Sequence, residues 1–144
     1  LELAAEYKLP RALRAFITEH HGTGTISYFL DKARQGDDQS ADAAEYVYPG
    51  PLPQSPETAV VMLADGIEAA ARVIHEPTPE KVREVVDHIV RQRIEQGQLA
   101  DAPLTLRQIE IIKEEFTRVI VGMYHNRIDY PAAMGGVTSE FASA

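Results

Sequence analysis

The sequence predicts an all-α domain, and three observations carry that expectation. Proline and glycine cut the chain into stretches of helical length, apolar residues recur at three and four positions rather than two, and Ser55, Thr78 and Thr105 each precede a periodic run as a helix cap would. A chain of 144 residues, 44% hydrophobic and 25% charged, buries about two-thirds of its unfolded surface on folding. One domain over residues 1–130 then needs neither disulfide nor metal to stay folded, and a disordered tail over 131–144 is expected to add nothing to function.

Each element has its own signal. Leu1, Leu3 and Ala4 begin apolar without a cap, as the tail of a helix that starts earlier, so the chain reads as an excised piece. Pro10 takes the first position of a helix running to His20, with Leu13, Phe16 and Ile17 as its apolar stripe and Gly22 able to stop it. A short helix from Ile26 to Arg34 carries Tyr28 and Phe29, and Gly36 to Asp42 is a polar loop. Tyr46 to Pro53 holds three prolines and a glycine, so it is extended or turned, and stiff. Ser55, Pro56 and Glu57 supply the cap, first position and early negative charge of a helix to His75. Thr78 and Pro79 start the next, whose Val82, Val85, Val86, Ile89 and Val90 share a face and which ends before Gly97. Thr105 caps the last, where Leu106, Ile109, Ile112, Phe116, Val119, Ile120 and Met123 keep the spacing to about Asn126. Arg83, Glu84, Arg91 and Arg93, with Glu110, Lys113, Glu114 and Arg118, read as solvated faces.

Composition removes several function classes. Without cysteine there is no thiolate zinc site, cysteine nucleophile or disulfide framework, and a reducing compartment fits. Twenty-two acidic against fourteen basic residues leave a net charge of -8, which repels phosphate backbones and makes a nucleic-acid polymer a poor partner. No apolar run reaches the roughly 18 residues of a membrane span.

Chemistry is expected where a polar residue stands in apolar company. Ala59 to Ala64 and Ala69 to Ala71 make the Pro56 helix apolar nearly all round, which predicts a buried central helix with Asp65 in its middle. A carboxylate taken out of water costs several kcal/mol unless donors or a cation meet it. One partner is Arg72, seven residues on, with Glu68 between them in a structural ion network. The other is a divalent metal ligated by Asp65, with Glu68 and Arg72 orienting or balancing it. Spacing leaves both open. His20 and His21 precede the Gly22-Thr-Gly-Thr25 turn; neighbouring neutral imidazoles suit one or two metals, but a glycine-capped helix end that favours imidazolium is the plainer account. That turn is no phosphate loop, lacking the lysine and the preceding strand. His75 lies about 15 Å past Asp65 along one helix, too far to share an ion. His88 reads as an ordinary surface residue and His125 as a partner of Asp129.

Five blocks occur in order: Ile17-Thr-Glu-His-His-Gly-Thr23 followed by Tyr28-Phe29; Tyr48-Pro-Gly-Pro-Leu-Pro-Gln-Ser-Pro-Glu57; Met62-Leu-Ala-Asp-Gly-Ile-Glu-Ala-Ala-Ala-Arg72; Gly97-Gln-Leu-Ala-Asp-Ala-Pro-Leu-Thr105; and Tyr124-His-Asn-Arg-Ile-Asp-Tyr-Pro131. Together they resemble the carboxyl-terminal part of the cytosolic HD domain of seven-transmembrane HD proteins, the PgpH-like cyclic di-AMP phosphodiesterases of the HD/HDIG metal-dependent phosphohydrolase superfamily. The resemblance implies an HD-domain-like helical bundle, incomplete at its amino-terminal side. It also implies that His20, His21 and Asp65 help hold a pair of divalent metals, iron or manganese, where cyclic di-AMP is opened to the linear dinucleotide. The parent would be anchored in a membrane with this part on the cytoplasmic side.

The same pattern places a histidine, a His-Asp pair and another histidine upstream of the double histidine. None stands here, since three of the five histidines follow the pair. With half its ligands, the chain alone is expected to bind metal weakly and to show little or no phosphodiesterase activity. Uncovered apolar faces are expected to drive self-association, and the proline-rich loop after Tyr46 to lie near the substrate mouth. The competing readings are a non-catalytic helical interaction or regulatory module, and a purely structural bundle with Asp65 paired to Arg72.

Overall fold

The computed structural model describes residues 1–35 and 42–125, the side chains of residues 27–29 and 125 excepted. Its elements are α1 (Glu2–Glu6), α2 (Arg11–Glu19), α3 (Ser27–Gln35), a 3-10 turn at Ala43–Glu45, α4 (Pro56–Ala71), α5 (Pro79–Glu95) and α6 (Leu106–His125). Among the described residues there is no strand, only one antiparallel bridge between Thr25 and Val47. None of the described helices is long and apolar enough to cross a membrane. The expected tail over 131–144, and most of the expected loop from Gly36, lie outside the described residues.

The three long helices start where side chains take up their free N–H groups. Ser55 Oγ accepts from Thr58 N at 3.2 Å while Thr58 Oγ1 accepts from Ser55 N at 3.4 Å, a reciprocal capping box followed by Pro56 at the first position. Thr78 Oγ1 accepts from Lys81 N, and Thr105 exchanges the same reciprocal pair with Gln108. Pro10 departs from expectation: its ψ of 146 is extended, so it precedes α2 instead of opening it. Helix α4 stops at Ala71, four residues before His75, and Tyr124 Oη donates to the freed Ala71 carbonyl at 2.6 Å.

Helices α4, α5 and α6 enclose the core, in which Leu63 and Ile67 meet Val82, Val86 and Val90 and, from α6, Ile109 and Ile120. Each such side chain contributes about 1.5–3 kcal/mol by leaving water. The edge of this layer is charged but not simply solvated. Lys113 Nζ of α6 lies 2.8 Å from Asp87 of α5 and 2.8 Å from Glu110, with Arg83 beside the same aspartate. Hydrogen bonding to Lys113 holds the Asp87 carboxyl below its ordinary range, and the bonds to Asp87 and Glu110 raise the Lys113 ammonium.

Two expectations about burial fail. Helix α4 is not apolar all round: Thr58, Ala59, Met62, Leu63, Ile67 and Ala71 face inward, whereas the Asp65 side chain is 54% exposed. Its small residues mislead, because alanine is tolerated on either face and Val61, Asp65, Glu68 and Arg72 form an outward row at helical spacing. Helix α2 leaves Leu13 and Ile17 of its apolar stripe exposed, keeps Phe16 half-buried, and buries Glu19.

Candidate metal centre

The site begins where α2 ends. The last turn of α2 delivers His20, whose Nδ1 lies 2.6 Å from the carbonyl of Phe16; the N–H on that nitrogen donates, which leaves Nε2 as the free lone pair. His21 follows, and Gly22, at φ +55, turns the chain in a conformation that suits glycine. Downstream the turn is tied to the proline-rich loop, with Ile26 N donating to Tyr46 O and Tyr48 N to Gly24 O. The loop in turn lays the Tyr48 ring on His21, with centroids 4.1 Å apart and planes tilted by 17°. The His20 and His21 rings are themselves 3.9 Å apart.

Facing His21, α4 presents Asp65. Its Oδ2 is 3.7 Å from His21 Nδ1, with the two side chains 54% and 35% exposed. Burial holds His21 below its ordinary protonation range, and His20 and Arg93 push the same way against the opposing pull of Asp65. A neutral ring keeps a lone pair for a metal. The residues fit a divalent ion as a partial set: 3.7 Å is less than two metal–ligand bonds of about 2.1 Å laid end to end, so His21 and Asp65 can reach one ion. Among the described residues no three His, Asp or Glu side chains close a metal site unaided.

Other site residues fall differently. Glu68 and Arg72 pair with each other at 2.6 Å on the exposed side of α4, and no described bond joins either to Asp65. The expected Asp65–Arg72 ion network is therefore absent among the described residues, because Asp65 stands in solvent beside His21 and has no buried charge to balance. His75 lies beyond the end of α4 and His88 is exposed on α5, both apart from the pair; the His125 side chain lies outside the described residues.

Three supporting residues escaped the sequence reading. Tyr48 stood in the proline-rich loop with no periodicity to mark it. Glu19 is 8% exposed and accepts through Oε2 from Gln54 N at 2.9 Å and Thr58 Oγ1 at 2.7 Å, stitching the end of α2 to the loop and to the start of α4. Arg93 was assigned to a solvated face, but its Nε is buried and its guanidinium lies against Gly24 and Gly66, where a Cβ would come within 3.6 and 3.5 Å of it. At Gly66, beside Asp65, the tighter neighbour of such a Cβ would be Ile89 Cγ2 at 3.2 Å.

No family model matches the chain. It is 37% identical over 127 residues to the cyclic-di-AMP phosphodiesterase PgpH of Bacillus subtilis (strain 168), covering 88% of this chain. To the PgpH of Listeria monocytogenes serotype 1/2a (strain 10403S) it is 35% identical over 130 residues, covering 90%. The chain spans 18% of the length of either relative. Among solved structures it matches the L. monocytogenes PgpH HD domain in complex with cyclic-di-AMP with a TM-score of 0.80 and 35% identity, covering 90% of this chain and 60% of that one. Helical order, the turn bearing the histidine pair and these matches agree, and the chain is a PgpH-like HD domain in part.

Proposed function

We propose that this chain supplies the carboxyl-terminal share of a metal-dependent phosphodiesterase centre that opens cyclic di-AMP to the linear dinucleotide, in a parent anchored to a membrane. The observation that carries the reading is the meeting of His21 Nδ1 with Asp65 Oδ2 at 3.7 Å, with the His20 ring 3.9 Å from that of His21, in a chain whose relatives are named for that activity. A divalent ion such as iron or manganese supplies positive charge that offsets the phosphate and eases attack at phosphorus.

The chain's own residues prepare that chemistry. Phe16 holds His20 in the tautomer that offers Nε2, burial keeps His21 neutral, and Tyr48 fixes the plane of the His21 ring. Asp65 stands at the brim of α4, where a carboxylate adds negative charge without the cost of burial. Glu68 and Arg72, on the same side of α4, pair with each other. The facing pair of His21 and Asp65, even with His20 beside it, is fewer ligands than a dinuclear centre draws on, so the chain by itself binds metal weakly and hydrolyses little or no cyclic di-AMP.

Metal content and cyclic di-AMP hydrolysis, measured on a longer chain holding a complete HD domain and on its Asp65→Ala variant, test the reading. Loss of metal and a fall in turnover of 100-fold or more are expected; unchanged turnover would refute the assignment. A second reading, a non-catalytic interaction module, is favoured by the open apolar groove of about 450 Å³ lined by Phe16, Val60, Val61, Leu104, Ile111 and Ile112. It would be preferred if the complete domain bound no metal.

A further inference from the structure

The histidine pair has little of its own to hold it. Among the described residues, His20 hydrogen-bonds only to the helix it ends, and His21 has a stacked ring and a 3.7 Å approach to a half-exposed aspartate. The turn that follows is gripped from far along the chain. Helix α5 ends as Gly97, at φ +68, reverses the backbone, with Gly97 N donating to Ile94 O and Gln98 N to Arg93 O. This reversal sends the Gln98 side chain inward, where the residue is 5% exposed.

There the amide meets Thr23 twice. Gln98 Oε1 accepts from Thr23 N at 3.0 Å, and Nε2 donates to Thr23 Oγ1 at 3.0 Å and to Gln96 O at 3.4 Å. The amide is oriented by these bonds, since the flipped form would set an N–H against the N–H of Thr23. Gly22 completes the fit: a Cβ there would collide with Gln98 Oε1 and lie 2.7 Å from Met62 Cε. Among the described residues, no other side chain hydrogen-bonds to the turn between His21 and Thr25.

We propose that Gln98 is a positioning residue for the histidine pair, fixing the turn after His21 so that its ring faces Asp65 and Tyr48. The consequence for metal rests on the function proposed above; the consequence for ring placement does not. A metal donor displaced by about 0.5 Å is already poorly placed, and residues that orient ligands typically alter affinity 10–100-fold when lost.

The test uses the whole 144-residue chain at a temperature where every variant is folded. Gln98→Met keeps the side chain's length and removes its hydrogen bonds. Without metal, the nuclear Overhauser contact between the His21 and Tyr48 rings should weaken or vanish. In a Mn²⁺ titration followed by paramagnetic broadening, the apparent Kd should rise about tenfold. A purely structural tie would lower Tm but leave the ring contact and the Kd of folded molecules unchanged, and that result would overturn the proposal. Thr23→Val removes one bond and should give an intermediate effect; if Gln98→Met does not fold, a T23V chain identical to the parent in both readouts would overturn it equally. His21→Ala separates the two ideas: unchanged Mn²⁺ binding there refutes the metal reading, while the metal-free ring contact still decides the role of Gln98.

Discussion

The α4–α5–α6 layer and the region around the histidine turn are held together by different forces. The layer is apolar: Leu63 is fully buried, and valines and isoleucines from three helices close over it. The turn and its neighbours are held by polar bonds, from Glu19 to Gln54 and Thr58, from Gln98 to Thr23, and by backbone pairing around Tyr48. Apolar packing is strong and undirected, so it stabilises a scaffold; hydrogen bonds are weaker and directional, so they set where a ring points. The separation predicts that stability and metal affinity respond to different substitutions.

The largest effect on stability belongs to the layer. Leu63→Ala leaves a cavity at a fully buried position and should cost about 2–5 kcal/mol in urea unfolding, while the Mn²⁺ affinity of the folded molecules stays within twofold. A large loss of affinity in that variant would break the distinction. Next comes Glu19→Ala, which strands the Gln54 N–H, leaves the Thr58 hydroxyl only its local partners on Ser55, and should cost about 1–3 kcal/mol. Because Glu19 adjoins His20, this variant should also weaken Mn²⁺ binding, and Glu19→Gln, which keeps an acceptor, should recover part of both losses.

The smallest effect is at the charged edge of the layer. Asp87 has its folded pKa lowered, so its contribution is full above the unfolded value of about 3.9 and is lost as pH falls through the folded one. Lys113 is raised, so its contribution is full below about 10.4 and is lost as pH rises through its folded value. A double-mutant cycle of Asp87→Asn and Lys113→Met should give a coupling of about 1 kcal/mol or less at pH 7 that is lost at an acid pH where folded Asp87 is protonated. Coupling of equal size at both pH values would show that packing, not charge, joins the pair.

Local signals gave the helix starts and not the burial. Ser55, Thr78 and Thr105 cap the helices they were expected to cap, because capping depends on residues within one turn. The exposure of Asp65 departs from expectation because alanine is apolar by type yet tolerated on either face of a helix, and the outward row Val61, Asp65, Glu68 and Arg72 is the signal that marks it. Gln98 meets Thr23 from 75 residues away, a contact that no periodicity announces. Likewise the buried Glu19 depends on Thr58 and Gln54, which only the packing of α2 against α4 brings within reach. Residue type and spacing left the roles of His20, His21 and Asp65 open; the ordered blocks of the resemblance singled them out, and the structure brings His21 and Asp65 within 3.7 Å.

Anomalous diffraction from crystals of this chain soaked in Mn²⁺ tests the central claim most directly. The account predicts a peak between His21 and Asp65, within coordination distance of both and beside His20. A peak seated elsewhere, or none at Mn²⁺ concentrations far above those that saturate the complete HD domain, would contradict it.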